Sequence, residues 1–268
     1  MGDLMKILAA FLFLGSSAFA DTLTLIAPVG EWHDPLVWDA GRVPVQADDV
    51  VIPAGMACTI EPLGLVATRK VDVAGTLTLD RETLVLGSDN PDVDVDCPIT
   101  GTIFFKDDYA NTPPARIVPD GGWVRFTGTG ELNASRGNGE EYQGRLRCCA
   151  ATGFGPCDAH SGKGFVVEAG VTVRGSMHLH ACLVLNGTWI VDHPEDVSQL
   201  GQPRGTLCGG ACAVPLTLEG TGVFILRAGR LEIGELSILT CQRPKVWIEG
   251  GTLTTDTPLR AKFKGCGK

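Results

Sequence analysis

One phrase recurs through this chain and restricts its fold more than any other feature: apolar-x-apolar-x-Gly-x-apolar-x-apolar. It reads VDVAGTLTL around Gly75, WVRFTGTGEL around Gly128 and VVEAGVTV around Gly170. It returns as LVLNGTWIV around Gly187, LTLEGTGVFIL around Gly220, LRAGRLEI around Gly229 and VWIEGGTLT around Gly250. Each half alternates with period two, as does a short strand that buries one face. The glycine between the halves permits a tight bend where a side chain would clash. Glycine is accordingly abundant, at 35 of 268 residues, roughly twice average usage.

The spacing of these glycines selects among all-β folds. Gly55 and Gly75 lie 20 residues apart, and Gly229 and Gly250 lie 21 apart. Wider gaps, such as the 42 residues from Gly128 to Gly170, hold cysteine-rich loops. No helical period stands out. Units of roughly 20 residues, bent at glycines, suit the turns of a parallel β-solenoid, in which each turn buries its apolar side against the next. The expected fold is therefore all-β: a right-handed parallel β-helix with an N-terminal cap and disulfide staples. A β-sandwich is the alternative, since sandwich strands are also short and the Asn138-Gly139 and Asn186-Gly187 pairs are hairpin signals.

The first twenty residues stand apart. MGDLMKILAAFLFLGSSAFA has Lys6, an apolar run from Ile7 to Leu14, and Ala18-Phe19-Ala20 as a small-x-small cleavage signal. That pattern predicts a secretory signal peptide over 1–20, cut before Asp21. Its apolar run is too short to span a bilayer, so an exported chain without a transmembrane segment is expected. All ten cysteines follow the cut, at Cys58, Cys97, Cys148, Cys149, Cys157, Cys182, Cys208, Cys212, Cys241 and Cys266. In an oxidising compartment an even number reads as disulfides of undetermined pairing. The sequons at Asn133 and Asn186 fit a secreted glycoprotein. A net charge of −9 and the lack of a basic stripe argue against nucleic acid. The four cations Arg260, Lys262, Lys264 and Lys268 read as a solvated tail over 260–268.

The stretch EWHDPLVWDAGRVPVQADDVVIPAG, from Glu31 to Gly55, packs two tryptophans, two glycines and three prolines before and around one short strand. The expected reading is a cap over 21–49 followed by a β-helix over 50–259. Trp32, Leu36, Val37 and Trp38 would lie across the open end of the core, because open sheet edges invite aggregation. Asp48 and Asp49 would face water just before the first turn strand, Val50-Val51-Ile52.

Trp38, Gly41, Pro44, Asp49, Val50, Ile52, Pro53 and Gly55, followed by Val71-Asp72-Val73-Ala74-Gly75-Thr76-Leu77, resemble the G-eight domain. That extracellular module is named for its eight glycines. It occurs in cell-surface and secreted hyaluronidases, in fibrocystin-like receptors and in microbial secreted proteins. Leu84-Val85-Leu86-Gly87-Ser88 with Pro91 resembles the family's next turn, so the resemblance covers about 31–105. It implies a β-helix-like module working outside the cell near glycans. It carries over no catalytic residue.

Two clusters are candidate metal sites. Asp92, Asp94 and Asp96 in SDNPDVDVDC would share one strand face, where three carboxylates suit calcium. The competing reading is a solvated acidic edge. His178 and His180 in SMHLHAC would stand outward on one strand about 7 Å apart, a chelating pair for zinc or copper, with His160 or His193 to complete it. The plainer reading is two solvent-facing histidines. The pairs Asp107-Asp108 and Glu140-Glu141 read as solvated charge, while Asp192 with His193 and Glu195-Asp196 could flank a groove, with nothing in the sequence to fix their geometry. Trp123, Trp189 and Trp247 are either core packing or sugar-stacking aromatics. No nucleophile elbow, phosphate loop or catalytic triad order is present, so an enzyme is the less favoured reading. The expected function is extracellular recognition or scaffolding, with a polysaccharide or glycosaminoglycan as partner. A calcium- or carboxylate-lined lyase or hydrolase is one alternative, and a surface adhesin or matrix protein that binds another protein is the other.

Overall fold

The computed structural model describes residues 20–62, 65–88, 90, 92–106, 115–135, 144–147, 162–194, 197–200, 217–219, 221–228, 230–233, 238–239 and 245–255. The described regular structure is β throughout, apart from one 3-10 turn at Pro35–Val37. No described helix is long and apolar enough to cross a membrane.

The strands come in threes. β1 (Thr22–Thr24) and β2 (Val29–Glu31) make a first, partial turn. β3 (Asp49–Ile52), β4 (Ala57–Ile60) and β5 (Val66–Thr68) make the second, and β6 (Lys70–Val73), β7 (Thr76–Asp80) and β8 (Thr83–Gly87) the third. β9 (Val95–Ile99), β10 (Thr102–Lys106) and the first half of β11 (Ala115–Gly128) follow. The second half of β11 then opens the fifth turn, completed by β12 (Glu131–Ala134) and β13 (Gly144–Arg147). Four more trios continue the series: β14 (Gly162–Val167), β15 (Thr172–Gly175), β16 (Met177–His180); β17 (Leu183–Leu185), β18 (Thr188–Val191), β19 (Val197–Leu200); β20 (Thr217–Glu219), β21 (Val223–Leu226), β22 (Arg230–Ile233); and β23 (Ile238–Leu239), β24 (Lys245–Ile248), β25 (Thr252–Thr255).

Every strand of a trio pairs in parallel with the same strand of the next trio. Three faces result, and the connectivity is compatible with a β-solenoid. The second face is a nine-stranded sheet running β2-β4-β7-β10-β12-β15-β18-β21-β24. Parallel register throughout removes the antiparallel hairpins that a β-sandwich needs. The bridge Leu25↔Trp38 is antiparallel and lies outside the strands.

The core follows from the period-two alternation. On the second face the inward column runs Cys58, Leu77, Ile103, Leu132, Val173, Trp189 and Phe224, in register and at most 1% exposed. On the third face the column Val66, Leu84, Ile117, Leu146 and Leu179 is also in register and at most 4% exposed. On the first face Phe126 and Phe165 stack 5.9 Å apart at 8°. Each such side chain contributes about 1.5–3 kcal/mol by leaving water.

Gly75, Gly101, Gly130, Gly170 and Gly187 occupy the corner between the first and second faces. A Cβ on Gly101 would lie 1.9 Å from the Gly75 carbonyl oxygen, and one on Gly130 would lie 2.4 Å from that of Gly101. These carbonyls accept hydrogen bonds from the turn above, Thr102 N at 2.9 Å and Glu131 N at 3.0 Å. Glycine is required here for close approach of backbones stacked at strand spacing. Gly121 is the different case, bending β11 between faces at φ +88°.

The N-terminal segment differs from expectation in three respects. β1 and β2 already pair in register with β3 and β4, so the sheets begin at Thr22 and not at Val50. Trp32, Val37 and Trp38 are buried as expected, but Leu36 is 81% exposed, because the 3-10 turn points it away. Asp48 and Asp49 do not face water: they are 0% and 7% exposed and are held by Arg42 and by Arg69 with Lys70.

Nor are the described cysteines stapled. Cys58, Cys97 and Cys182 are free thiols. Alternation turns Cys58 and Cys97 into the core as small hydrophobes, Cys58 opposite Leu77 and Cys97 opposite Phe126. Burial pushes both thiols up to about 12. Cys148, Cys149, Cys157, Cys208, Cys212, Cys241 and Cys266 lie outside the described residues, as do 1–19 and the 260–268 tail.

Candidate binding face

The three faces differ in what they present outward. On the third face the outward side chains Thr83, Val85, Arg116, Val118 and His178 are at most 7% exposed. Arg116 donates from Nε to Thr83 Oγ1 at 2.6 Å, and Glu82 Oε1 accepts from Thr83 N at 2.7 Å. The first face carries Arg125, which reaches Asp96 at 3.3 Å and Glu168 at 2.8 Å. Among the described residues the second face offers the longest row of half-open positions; the first face has a shorter one that includes Val51, Asp72, Pro98 and Thr127.

Two outward columns of that face stand at about 4.8 Å intervals. One runs Thr59, Thr78, Phe104, Asn133, Arg174, Ile190, Ile225 and Trp247. Its neighbour runs Thr76, Thr102, Glu131, Thr172, Thr188 and Val223. Parallel pairing puts each outward residue directly beside its counterpart one turn on, so the face is a ribbon of hydroxyl, amide and apolar groups. Trp247, at the far end, is 57% exposed.

Charges on the face are compensated. Arg174 reaches Glu131 Oε1 at 2.5 Å from Nε and binds Asp192 from Nη1. Burial alone would pull the Arg174 guanidinium down, but the two carboxylates outweigh it and raise it. Asn133 donates from Nδ2 to Glu131 Oε2 at 3.4 Å and accepts from Ser135 N at 2.9 Å. At the N-terminal end Asp80 is paired with Arg81 at 3.0 Å and Lys106 at 3.5 Å. Beside it, loss of water and then the carboxylates of Glu31 and Asp80 push the Glu61 carboxyl up, with His33 opposing. His33 Nδ1 is buried without a hydrogen-bond partner among the described residues.

The sequence-predicted metal residues do not converge. Asp92, Asp94 and Asp96 are all exposed, but Asp92 lies in a turn, Asp94 accepts from Trp123 N at 2.9 Å, and Asp96 faces Arg125. His178 is buried rather than outward-facing in solvent, in register between Arg145 and Gln199. The side chain of His180, and His160 altogether, lie outside the described residues, while His193 is partly exposed after β18. Among the described residues no three His, Cys, Asp or Glu side chains gather to hold a metal ion. Asp107, Asp108, Glu140, Glu141, Glu195 and Asp196 also lie outside them.

Of the tryptophans weighed for stacking, Trp189 is core, 5.3 Å from Phe224, and Trp247 is open. Asn186, the second sequon, turns a corner, donating to Glu168 Oε2 at 3.1 Å and accepting from Thr221 N at 3.3 Å. Sequence reasoning missed the Glu131-Arg174-Asp192 set and the Arg42-Asp48 pair. Aligning the phrases on Gly101, Gly130 and Gly187 gives the register of Thr102, Glu131 and Thr188, and was the signal available for the first of these.

No family model, no curated protein and no solved structure matches this chain.

Proposed function

We propose that this chain is a secreted recognition module that binds a neutral polysaccharide along the outward surface of the nine-stranded sheet. The observation that carries the reading is the row of threonine hydroxyls and the Asn133 amide, with the outward aromatics Phe104 and Trp247, on the face with the longest half-open row among the described residues. Repeated hydroxyl and amide groups match the repeat of a glycan chain, and aromatic rings offer an apolar surface to sugar C–H faces. Arg42, Arg69, Arg125, Arg174 and Arg227 are each paired with carboxylates, and the chain carries −9 overall. That balance favours neutral glycans over hyaluronan or chondroitin sulfate.

The same proposal takes the winding as right-handed, as parallel crossovers nearly always are. It takes Trp32, Val37 and Trp38 as the cap, the 31–105 stretch as a G-eight-like module, 1–20 as its export signal and Asn133 and Asn186 as acceptors in hosts that glycosylate. The adhesin reading shares this face.

The test is retention of the exported protein on insoluble glucan, mannan and xylan, against hyaluronan, chondroitin sulfate, pectin and alginate, with polymer length followed alongside. Retention on a neutral polymer that falls about fivefold in Phe104→Ala and Trp247→Ala, equivalent to about 1 kcal/mol each, supports the reading. Retention only on the acidic polymers overturns it. Shortened polymer favours the second reading, a hydrolase, for which the raised Glu61 carboxyl beside Glu31 is the specific observation. Glu61→Gln would then abolish the shortening.

A further inference from the structure

We propose that the amino terminus released by removal of residues 1–20 is a structural ion, the α-ammonium of Asp21 seated on the buried carboxylate of Asp48. The proposal rests on that processing but not on the glycan reading. Asp48 is fully buried and accepts four hydrogen bonds. Arg42 gives two, Nη1 to Oδ2 at 2.6 Å and Nη2 to Oδ1 at 2.8 Å; Val45 N gives one to Oδ2 at 2.8 Å; Asp21 N gives one to Oδ1 at 3.3 Å. The last is the longest of the four, and it is the one whose donor changes on processing.

Residue 21 is anchored on three sides. Its carboxylate Oδ2 accepts from Arg42 Nη2 at 2.8 Å, its carbonyl accepts from Asp49 N at 2.8 Å, and its nitrogen faces Asp48. Ala20, just before it, is exposed, so a processing enzyme reaches the bond to be cut.

The charges do not balance while Asp21 N is an amide. Asp48 and Asp21 bring −2 and Arg42 brings +1, leaving −1 around a buried carboxylate. The neighbouring Asp49 does not share Arg42, because Arg69 at 2.6 Å and Lys70 at 3.3 Å hold it. Hydrolysis of the Ala20-Asp21 amide supplies the missing cation. Water gives its hydroxyl to the Ala20 carbonyl carbon and a proton to Asp21 N, and the new amine takes one more proton from solvent at neutral pH. A rotating ammonium with three protons can shorten the Oδ1 contact that a single fixed amide proton leaves long.

The groups facing this ammonium are Asp48, its own Asp21 carboxylate and Arg42, with Asp49, Arg69 and Lys70 one residue further. The two carboxylates raise the ammonium and Arg42 opposes them. A raised amine stabilises the fold fully below its ordinary range, about 7.7–8.0, and that contribution is lost as pH rises through the folded value.

The experiment compares the chain beginning at Asp21 with the same chain acetylated at its α-nitrogen. Expected results are an α-amino group titrating at least about one unit above its ordinary range, and roughly tenfold slower labelling by an amine-reactive reagent at pH 7 than in a short peptide of the same first residues. The melting temperature should exceed that of the acetylated chain at pH 6–7, and the gap should close by about pH 10. Asp48→Asn should return the amine to its ordinary range; should that variant not fold, the acetylation comparison still decides. An ordinary α-amino titration with equal melting temperatures overturns the proposal. A different first residue on sequencing the exported protein overturns the processing it rests on.

Discussion

Replacing Gly101 by alanine tests the corner geometry on which the stacked turns depend. The added methyl would lie 1.9 Å from the Gly75 carbonyl oxygen and 2.6 Å from that of Ala74, both backbone atoms with no rotamer to move. Relief requires the fourth turn to lift from the third by more than 1 Å, roughly the shortfall from a van der Waals contact. That strains Gly101 N to Val73 O and Thr102 N to Gly75 O, both 2.9 Å. Loss of two such bonds costs about 2 kcal/mol, and overpacking adds about 1–3 kcal/mol. Reduced freedom of the unfolded chain returns about 0.4–1 kcal/mol. The net expectation is about 3 kcal/mol, a melting temperature lower by roughly 6–12 °C for a domain of this size. Gly55→Ala is the control: φ there is +79° and a Cβ meets nothing within 4 Å. Its only cost is the left-handed backbone, about 1–2 kcal/mol before the same offset. Thermal melts of the two variants, with amide exchange at Thr102 and Glu131, measure the difference. A Gly101→Ala protein as stable as Gly55→Ala, or within about 1 kcal/mol of the parent, refutes the close-approach argument.

Arg42→Ala leaves Asp48 buried without its main partner and should cost about 2 kcal/mol in denaturant melts, a figure reduced because Arg42 itself is 36% exposed. Burial alone would raise the Asp48 carboxyl, but the hydrogen bonds from Arg42, Val45 N and Asp21 N hold it below the usual aspartate value of 3.8. Its contribution is therefore complete above pH 3.8 and lost as pH falls through the lower folded value; acid melts of Arg42→Ala should show a shallower loss. Cys58 and Cys97, with thiols pushed up to about 12, should resist alkylation at pH 8 until denaturant is added, as read by mass spectrometry. Trp38→Phe removes the 2.9 Å bond from Nε1 to the Trp32 carbonyl and should cost about 1–3 kcal/mol, since it orphans a buried acceptor. Glu61→Gln should raise the melting temperature at pH 7 and leave it unchanged at pH 4, because only the ionised carboxyl is repelled by Glu31 and Asp80.

Much of the fold was legible because its determinants are local. The alternation in VDVAGTLTL marks Val71, Val73, Leu77 and Leu79 as inward, and all four are fully buried. The glycine between the strands announces a corner because a methyl there meets backbone on the turn below. Parallel stacking of short strands then follows from the need of each turn to bury one face. What local reading could not reach was the identity of neighbours across turns. Asp48 read as a solvated charge because aspartate usually is one; Arg42, six residues away, and Asp21, 27 residues away, make it a buried anion. Cys58 and Cys97 read as staples because exported cysteines usually are, but register sets them against Leu77 and Phe126. His178 read as outward and wet, yet the outer surface of its face is closed at Thr83, Arg116 and Val118. The candidate binding face was not reached for the same reason: Phe104, Asn133 and Arg174 are 29 and 41 residues apart in sequence and adjacent only in the ladder, which an alignment of the glycine phrases would bring out only in part. Backbone alternation is written in the sequence one residue at a time, so sequence alone determined which side chains turn inward and where the chain bends. Partners across turns depend on loop lengths that vary from trio to trio, so only the tertiary structure decided which charges, thiols and aromatics meet.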